Sequence, residues 1–130
     1  MPLMDWNDSY FLDLPLLDET HQEFVALVNK VHDASNAEFK ALFAELLQHT
    51  QAHFDKENAL MIESKFSQLG EHNAEHQRVL NELKQFQQRV DKGMISFGRA
   101  YIKDRLPDWF ALHTKTMDSA LAMYLQKRNV

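Results

Sequence analysis

Histidines and carboxylates recur at helical intervals in four separate stretches of this chain, and that placement constrains its fold more than any other feature. HTQAHFDKE puts His49, His53 and Glu57 on one helix face, and EHNAEH puts His72 and His76 one turn apart beside Glu71 and Glu75. WFALHTKTMDSAL carries His113 with Asp118 five residues later, and ETHQEFVALVNKVH begins with His21. A single pair of this kind decides nothing, because a solvated helix face produces it too. Four together suggest a fold that brings four helices to one place.

Composition agrees with such a fold. The chain has 130 residues, 45% of them apolar and 25% charged, enough for one domain over 1–130 with a real core. Three glycines and three prolines leave little material for a turn-rich sheet, so the class is all-α. A formal net charge of −5 with dispersed Lys and Arg excludes the basic footprint of a nucleic-acid binder. No stretch approaches the roughly 20 apolar residues of a membrane span, and MPLMDWNDSYF lacks the features of a secretory signal. The expectation is a cytoplasmic monomer with no membrane insertion. Cysteine is absent, so any metal must be held by imidazole and carboxylate, a donor set suited to iron, manganese or zinc.

Helical periodicity and capping residues divide the chain. Residues 1 to about 17 read as an extended arm carrying Trp6, Tyr10, Phe11, Leu14 and Leu16. The first helix is expected to begin after Asp18 or Glu19, with Asp18 as N-cap, and to run to about His32, with the stripe of His21, Val25, Val28 and His32 facing inward. Ser35 or Asn36 caps a second helix reaching about Met61, and a third runs from about Gln68 to Val90 despite Gly70. After the break at DKG, a final segment from about Met94 to Lys127 is kinked or restarted at Pro107. Four helices with short connections predict an antiparallel four-helix bundle. In that arrangement His21, His53, His72 and His76 fall toward the same end, and His113 reaches a similar level if the segment before Pro107 forms the return path.

Five histidines and two carboxylates exceed the needs of one ion. They suit two ions side by side, with carboxylates bridging and imidazoles in terminal positions. Asp118 fits least well, since five residues turn an α-helix by about 500° and leave it off the line of His113. Against each residue stands the ordinary alternative of a hydrogen-bonded core histidine or a solvated face.

The ordered set of a first-helix histidine, then HxxxE, HxxxH and HxxxxD, closely resembles the hemerythrin family and its single-domain bacterial members. His21, His53 with Glu57, His72 with His76, and His113 with Asp118 match it. So do the flanking LLDETHQEF and HFDKENALM, and Trp109 four residues before His113. The resemblance implies up-down-up-down helix order and two Fe ions with an oxo or hydroxo bridge. One iron would take His72, His76 and His113, the other His21 and His53, with Glu57 and Asp118 bridging and one position open on the second. It further implies reversible dioxygen binding, for storage or for delivery to an oxygen-consuming enzyme, with no catalytic turnover. Phe24, Val25, Phe54, Trp109, Phe110 and Met117 are available to keep the site dry.

Three positions depart from the family pattern: His49 stands where tyrosine is common, Asn58 where an acid often follows the bridging glutamate, and Thr114 where an aliphatic residue usually follows His113. His49 suits an outer polar contact better than direct ligation. His32, about 16 Å along the helix from His21, is too far to share its metal. Two other readings compete: a diiron enzyme acting on peroxide, nitric oxide or ferrous iron, and a metal-free structural or interaction bundle.

Overall fold

A computed structural model describes residues 3–128; Met1 and Pro2 of the arm, and Asn129 and Val130, lie outside the described residues. Four helical columns form an antiparallel up-down-up-down bundle. The first three are α1 (Pro15–Asp33), α2 (Asn36–Ser64) and α3 (Leu69–Asp91). The fourth is assembled from α4 (Ile95–Asp104), α5 (Leu106–His113), a π-helical turn (Thr114–Asp118) and α6 (Ser119–Arg128).

The chain enters α1 four or five residues earlier than its sequence suggests. Pro15 opens the helix, where its missing N–H is no loss. Leu14 offers no side-chain cap, and Asp18 supplies one from inside the first turn: its buried carboxylate accepts the N–H of Leu12 at 2.9 Å and of Leu14 at 3.1 Å. Asp18 is therefore a cap by function and a helical residue by position. Ser35 and Glu38 form a reciprocal capping box on α2, which continues past Met61 to Ser64 and stops at Lys65 in the left-handed conformation. At Gly93, φ of 88° turns the chain from α3 into α4, as the DKG break requires. Pro107 sits in the first turn of α5, so it marks a restart.

The arm contains a 3₁₀ turn (Asp8–Tyr10) and is fastened to α1 by Asn29, which exchanges two 2.8 Å hydrogen bonds with the backbone of Met4. Tyr10 then packs on Phe110 at 5.4 Å between ring centroids. The arm thus covers the α5 side of the bundle.

Apolar side chains form two clusters. The larger includes Phe24, Val28, Phe39, Phe43, Leu46, Leu80, Leu83, Ile102 and Phe110; the smaller is Leu17, Met61, Phe66, Leu121 and Leu125. In every column the buried histidines and acids fall in sequence between members of the two clusters. A polar layer therefore crosses the bundle with dry core above and below it.

Asp18→Ala is expected to cost about 2 kcal/mol in chemical denaturation, because two partly buried backbone donors lose their acceptor. Glu19→Ala, one residue on and exposed, should stay within about 0.5 kcal/mol. Equal effects of the two would remove the capping role.

Candidate metal centre

The inward stripe of each column delivers its share of the polar layer. His21 comes from α1, His53 and Glu57 from α2, His72 and His76 from α3, His113 from the end of α5, and Asp118 from the end of the π turn. All seven are buried. Their candidate donor atoms fall into two groups, each within 4.8 Å of one another: Glu57, His72, His76, His113 and Asp118, and His21, His53 and Glu57.

The carboxylates are what divide and join these groups. Glu57 turns Oε1 toward Nε2 of His72 at 3.4 Å and of His76 at 3.6 Å, while its Oε2 faces Nε2 of His53 and, at 3.7 Å, of His21. Asp118 repeats the pattern. Its Oδ1 lies 3.1 Å from His72 Nε2 and 3.2 Å from His113 Nε2, and its Oδ2 lies 3.2 Å from His21 Nε2. Glu57 thus presents each oxygen to two imidazoles, and Asp118 presents one oxygen to two and the other to one, each acid facing both groups.

The π turn accounts for the awkward spacing of His113 and Asp118. Ser119 N–H donates to the carbonyl of Thr114, five residues back, so this turn holds one residue more than an α turn. That extra residue brings Asp118 back toward the axis of the bundle. Nothing in the residue types of TKTMD announces it; the five-residue interval is its sole trace in the sequence.

Aromatic rings fix the imidazoles. Phe54 stacks on His76 at 3.8 Å and 4°, Trp109 stacks on His113 at 4.7 Å and 17°, and Phe110 meets His21 edge-on at 5.5 Å. Phe24 in turn stacks on Phe110. Val25 is buried in the larger apolar cluster, and Met117 is half-buried. Two supporting residues have no role that the sequence alone assigns. Glu75 accepts the indole N–H of Trp109 at 2.8 Å while Arg78 grips it with two donors. Its position directly before His76 was the available clue. Asn73 accepts a 2.8 Å bond from Asn58, joining α2 to α3 one residue beyond Glu57 and His72. His49 lies in neither group and pairs with Glu23 at 3.4 Å; His32 pairs with Asp33 at the end of α1.

Buried polar atoms need partners, and here they lack them. Nε2 of His21, His53, His72, His76 and His113, both oxygens of Glu57 and Oδ1 of Asp118 have no hydrogen bond. Such an array costs several kcal/mol unless cations occupy it, and nitrogens and oxygens aimed at common points are what metal ions require. The donor set therefore fits a pair of metal ions.

Without metal, protons do part of this work. Burial by itself disfavours the imidazolium of His21 and His72, but the Asp118 and Glu57 carboxylates outweigh it and raise both pKa values to about 9. His76 goes the other way, to about 3, because burial dominates and its neighbours His72 and His113 add repulsion. Glu57 and Asp118 resist the pull of burial and are held low by the surrounding histidines. His21 and His72 thus contribute stability that is complete below pH 6.5 and lost as pH rises through 9, while the His76 contribution is lost as pH falls below 6.5. In chelated protein the melting temperature is expected to fall between pH 6.5 and 9.5. A rise over that interval would contradict this electrostatic picture.

Comparison with known proteins agrees with the geometry. Residues 12–125 match the family model of the hemerythrin HHE cation binding domain. A bacteriohemerythrin of Ralstonia nicotianae is 34% identical over 128 residues, covering 98% of this chain and 93% of the relative. A myohemerythrin of Sipunculus nudus is 30% identical over 114 residues, covering 87% and 86%. Crystal structures of hemerythrin point mutants share the fold, with a TM-score of 0.81 at 23% identity over 96% of this chain and 98% of theirs. With its metal-binding bundle and these relatives, the chain belongs to the hemerythrin family.

Proposed function

We propose that this protein binds dioxygen reversibly at a pair of iron ions, with His72, His76 and His113 holding one, His21 and His53 the other, and Glu57 and Asp118 bridging them. The observation that carries the proposal is the unequal division of imidazoles about two evenly divided carboxylates. Were each acid to give one oxygen to each ion, the three-histidine side would offer five protein donors and the two-histidine side four. One position is left for a small external molecule. A bound iron pair supplies the two electrons that reversible capture of dioxygen requires.

The chain's own residues favour capture over reaction. Its terminal donors are neutral imidazoles, whereas bundles that activate oxygen surround their metals with more carboxylates, whose charge stabilises high-valent iron. The apolar clusters on both sides of the polar layer, with Phe24, Phe54 and Phe110 against it, exclude the water and protons that would drive irreversible oxidation. A recess of about 10 Å³ between Leu16, Leu17, Thr20, Lys56 and Leu60 touches His53 and Glu57, and is no wider than a water molecule. Storage, or delivery to an oxygen-consuming enzyme, by a cytoplasmic monomer is the role this supports. The relatives bear the names bacteriohemerythrin and myohemerythrin, and no helix among the described residues is long and apolar enough to cross a membrane.

Anaerobic reduction of the iron-quantified protein, followed by oxygen addition and removal under visible absorbance, tests the proposal. A coloured form that disappears under vacuum and returns with oxygen is expected. Prompt irreversible oxidation, with turnover of peroxide or nitric oxide, would replace the carrier by an enzyme. Glu57→Ala should lose iron, because the remaining buried donors cannot hold both ions without a bridge; full iron content in that variant would overturn the ligand assignment.

A further inference from the structure

We propose that the Thr114 hydroxyl donates a hydrogen bond to the small anionic or charge-accepting molecule held at the position that the two-histidine side leaves open. This rests on the ligand assignment above and adds to it a residue that selects what the open position retains.

Thr114 is fully buried, and its hydroxyl has no hydrogen-bond partner. The chain's other threonines do not share this condition. Thr20, Thr50 and Thr116 each donate to the carbonyl four residues earlier, at 2.9, 2.8 and 2.7 Å. Such back-bonding is the ordinary way for a helical threonine to satisfy itself. Thr114, at the opening of the π turn, has not taken it. An unpartnered hydroxyl in a dry interior is unfavourable, and valine has the same branched shape without that cost.

Its position in the fold indicates where the partner belongs. One turn before it stands Phe110 and one turn after it Asp118, and both contact His21: the phenyl ring edge-on at 5.5 Å, the carboxylate Oδ2 at 3.2 Å. Thr114 therefore lies between two residues of the fourth column that reach His21, Phe110 by its ring and Asp118 by the oxygen it turns away from His72 and His113. His113, adjacent in sequence, belongs to the three-histidine group. Phe24, Phe54 and Phe110 bring no hydrogen-bonding group to this region, so the Thr114 hydroxyl is an uncharged donor that does not sit on a ligating ring, as the unpartnered Nδ1 atoms of His21 and His53 do. A donor strengthens the hold on a molecule that carries or gains negative charge, such as dioxygen taking up electrons or azide, more than on a neutral one.

Azide is the probe. Diferric wild-type protein, Thr114→Val and Thr114→Ser are titrated with sodium azide under visible absorbance, with iron quantified in each. Loss of a hydrogen bond to a charged group is expected to weaken azide binding to Thr114→Val about tenfold or more, while Thr114→Ser stays within about threefold of wild type. Chelated Thr114→Val should melt at or above the wild-type temperature, since the hydroxyl it removes has no internal partner. Equal azide affinity in wild type and Thr114→Val overturns the proposal, as does a lower melting temperature of chelated Thr114→Val, which would reveal a bond within the protein. Valine-sensitive azide binding in a protein that does not release dioxygen would uphold the hydroxyl's role and refute the carrier function. Equal azide affinity alongside reversible oxygen binding would do the reverse.

Discussion

Two carboxylates buried among five imidazoles are the constraint on which the rest of the structure depends. Glu57 and Asp118 each lie 2% or less exposed, where an unpaired carboxylate is far costlier than in water. Their tolerance rests on positive charge supplied locally, by protons on His21 and His72 in metal-free protein and by metal ions otherwise. The two states compete for the same nitrogens. Metal loading therefore displaces protons, and the affinity of the site is bound to pH by its construction.

Around this layer the bundle works as a support with two dry ends. Leu17, Met61, Leu121 and Leu125 close one side, and Phe24, Leu80, Leu83 and Phe110 the other. The outer supports are unevenly spread. His113 has Trp109 stacked on it, and that indole is tied through Glu75 to Arg78; His76 has Phe54. Both belong to the three-histidine group. The two-histidine group has Phe110 edge-on to His21 and Phe54 tilted at 5.5 Å from His53, neither of them stacked, with the unpaired Thr114 hydroxyl in the same column as Phe110. In the proposed assignment this division suits holding one metal as a fixed partner and using the second to take and release a ligand.

Much of this was legible in the sequence because the site is written in helical intervals. His53 with Glu57 and His72 with His76 are four residues apart, and an α-helix places such pairs on one face whatever surrounds them. Break signals at SNAE and DKG divided columns nearly where they divide in the structure, and LPDW marked the restart within the fourth. Two things escaped. Asp18 resembles an N-cap by residue type, yet Pro15 starts the helix first and Asp18 caps it from within. The π turn at Thr114–Asp118 has no compositional signature, so α-helical geometry put Asp118 off the line of His113; packing around the polar layer restores the alignment. The pairing of Glu75 with Trp109 also depended on tertiary placement, 34 residues apart in the chain.

The most direct test of the central claim, that two bridging acids divide five histidines between two metals, is a crystal structure of the iron-loaded protein with anomalous data at the iron edge. Two anomalous peaks are expected between α1, α2, α3 and the fourth column. One should contact Nε2 of His72, His76 and His113, the other Nε2 of His21 and His53, with Glu57 and Asp118 each touching both. A single peak, or two peaks whose carboxylates each serve one metal alone, would contradict it.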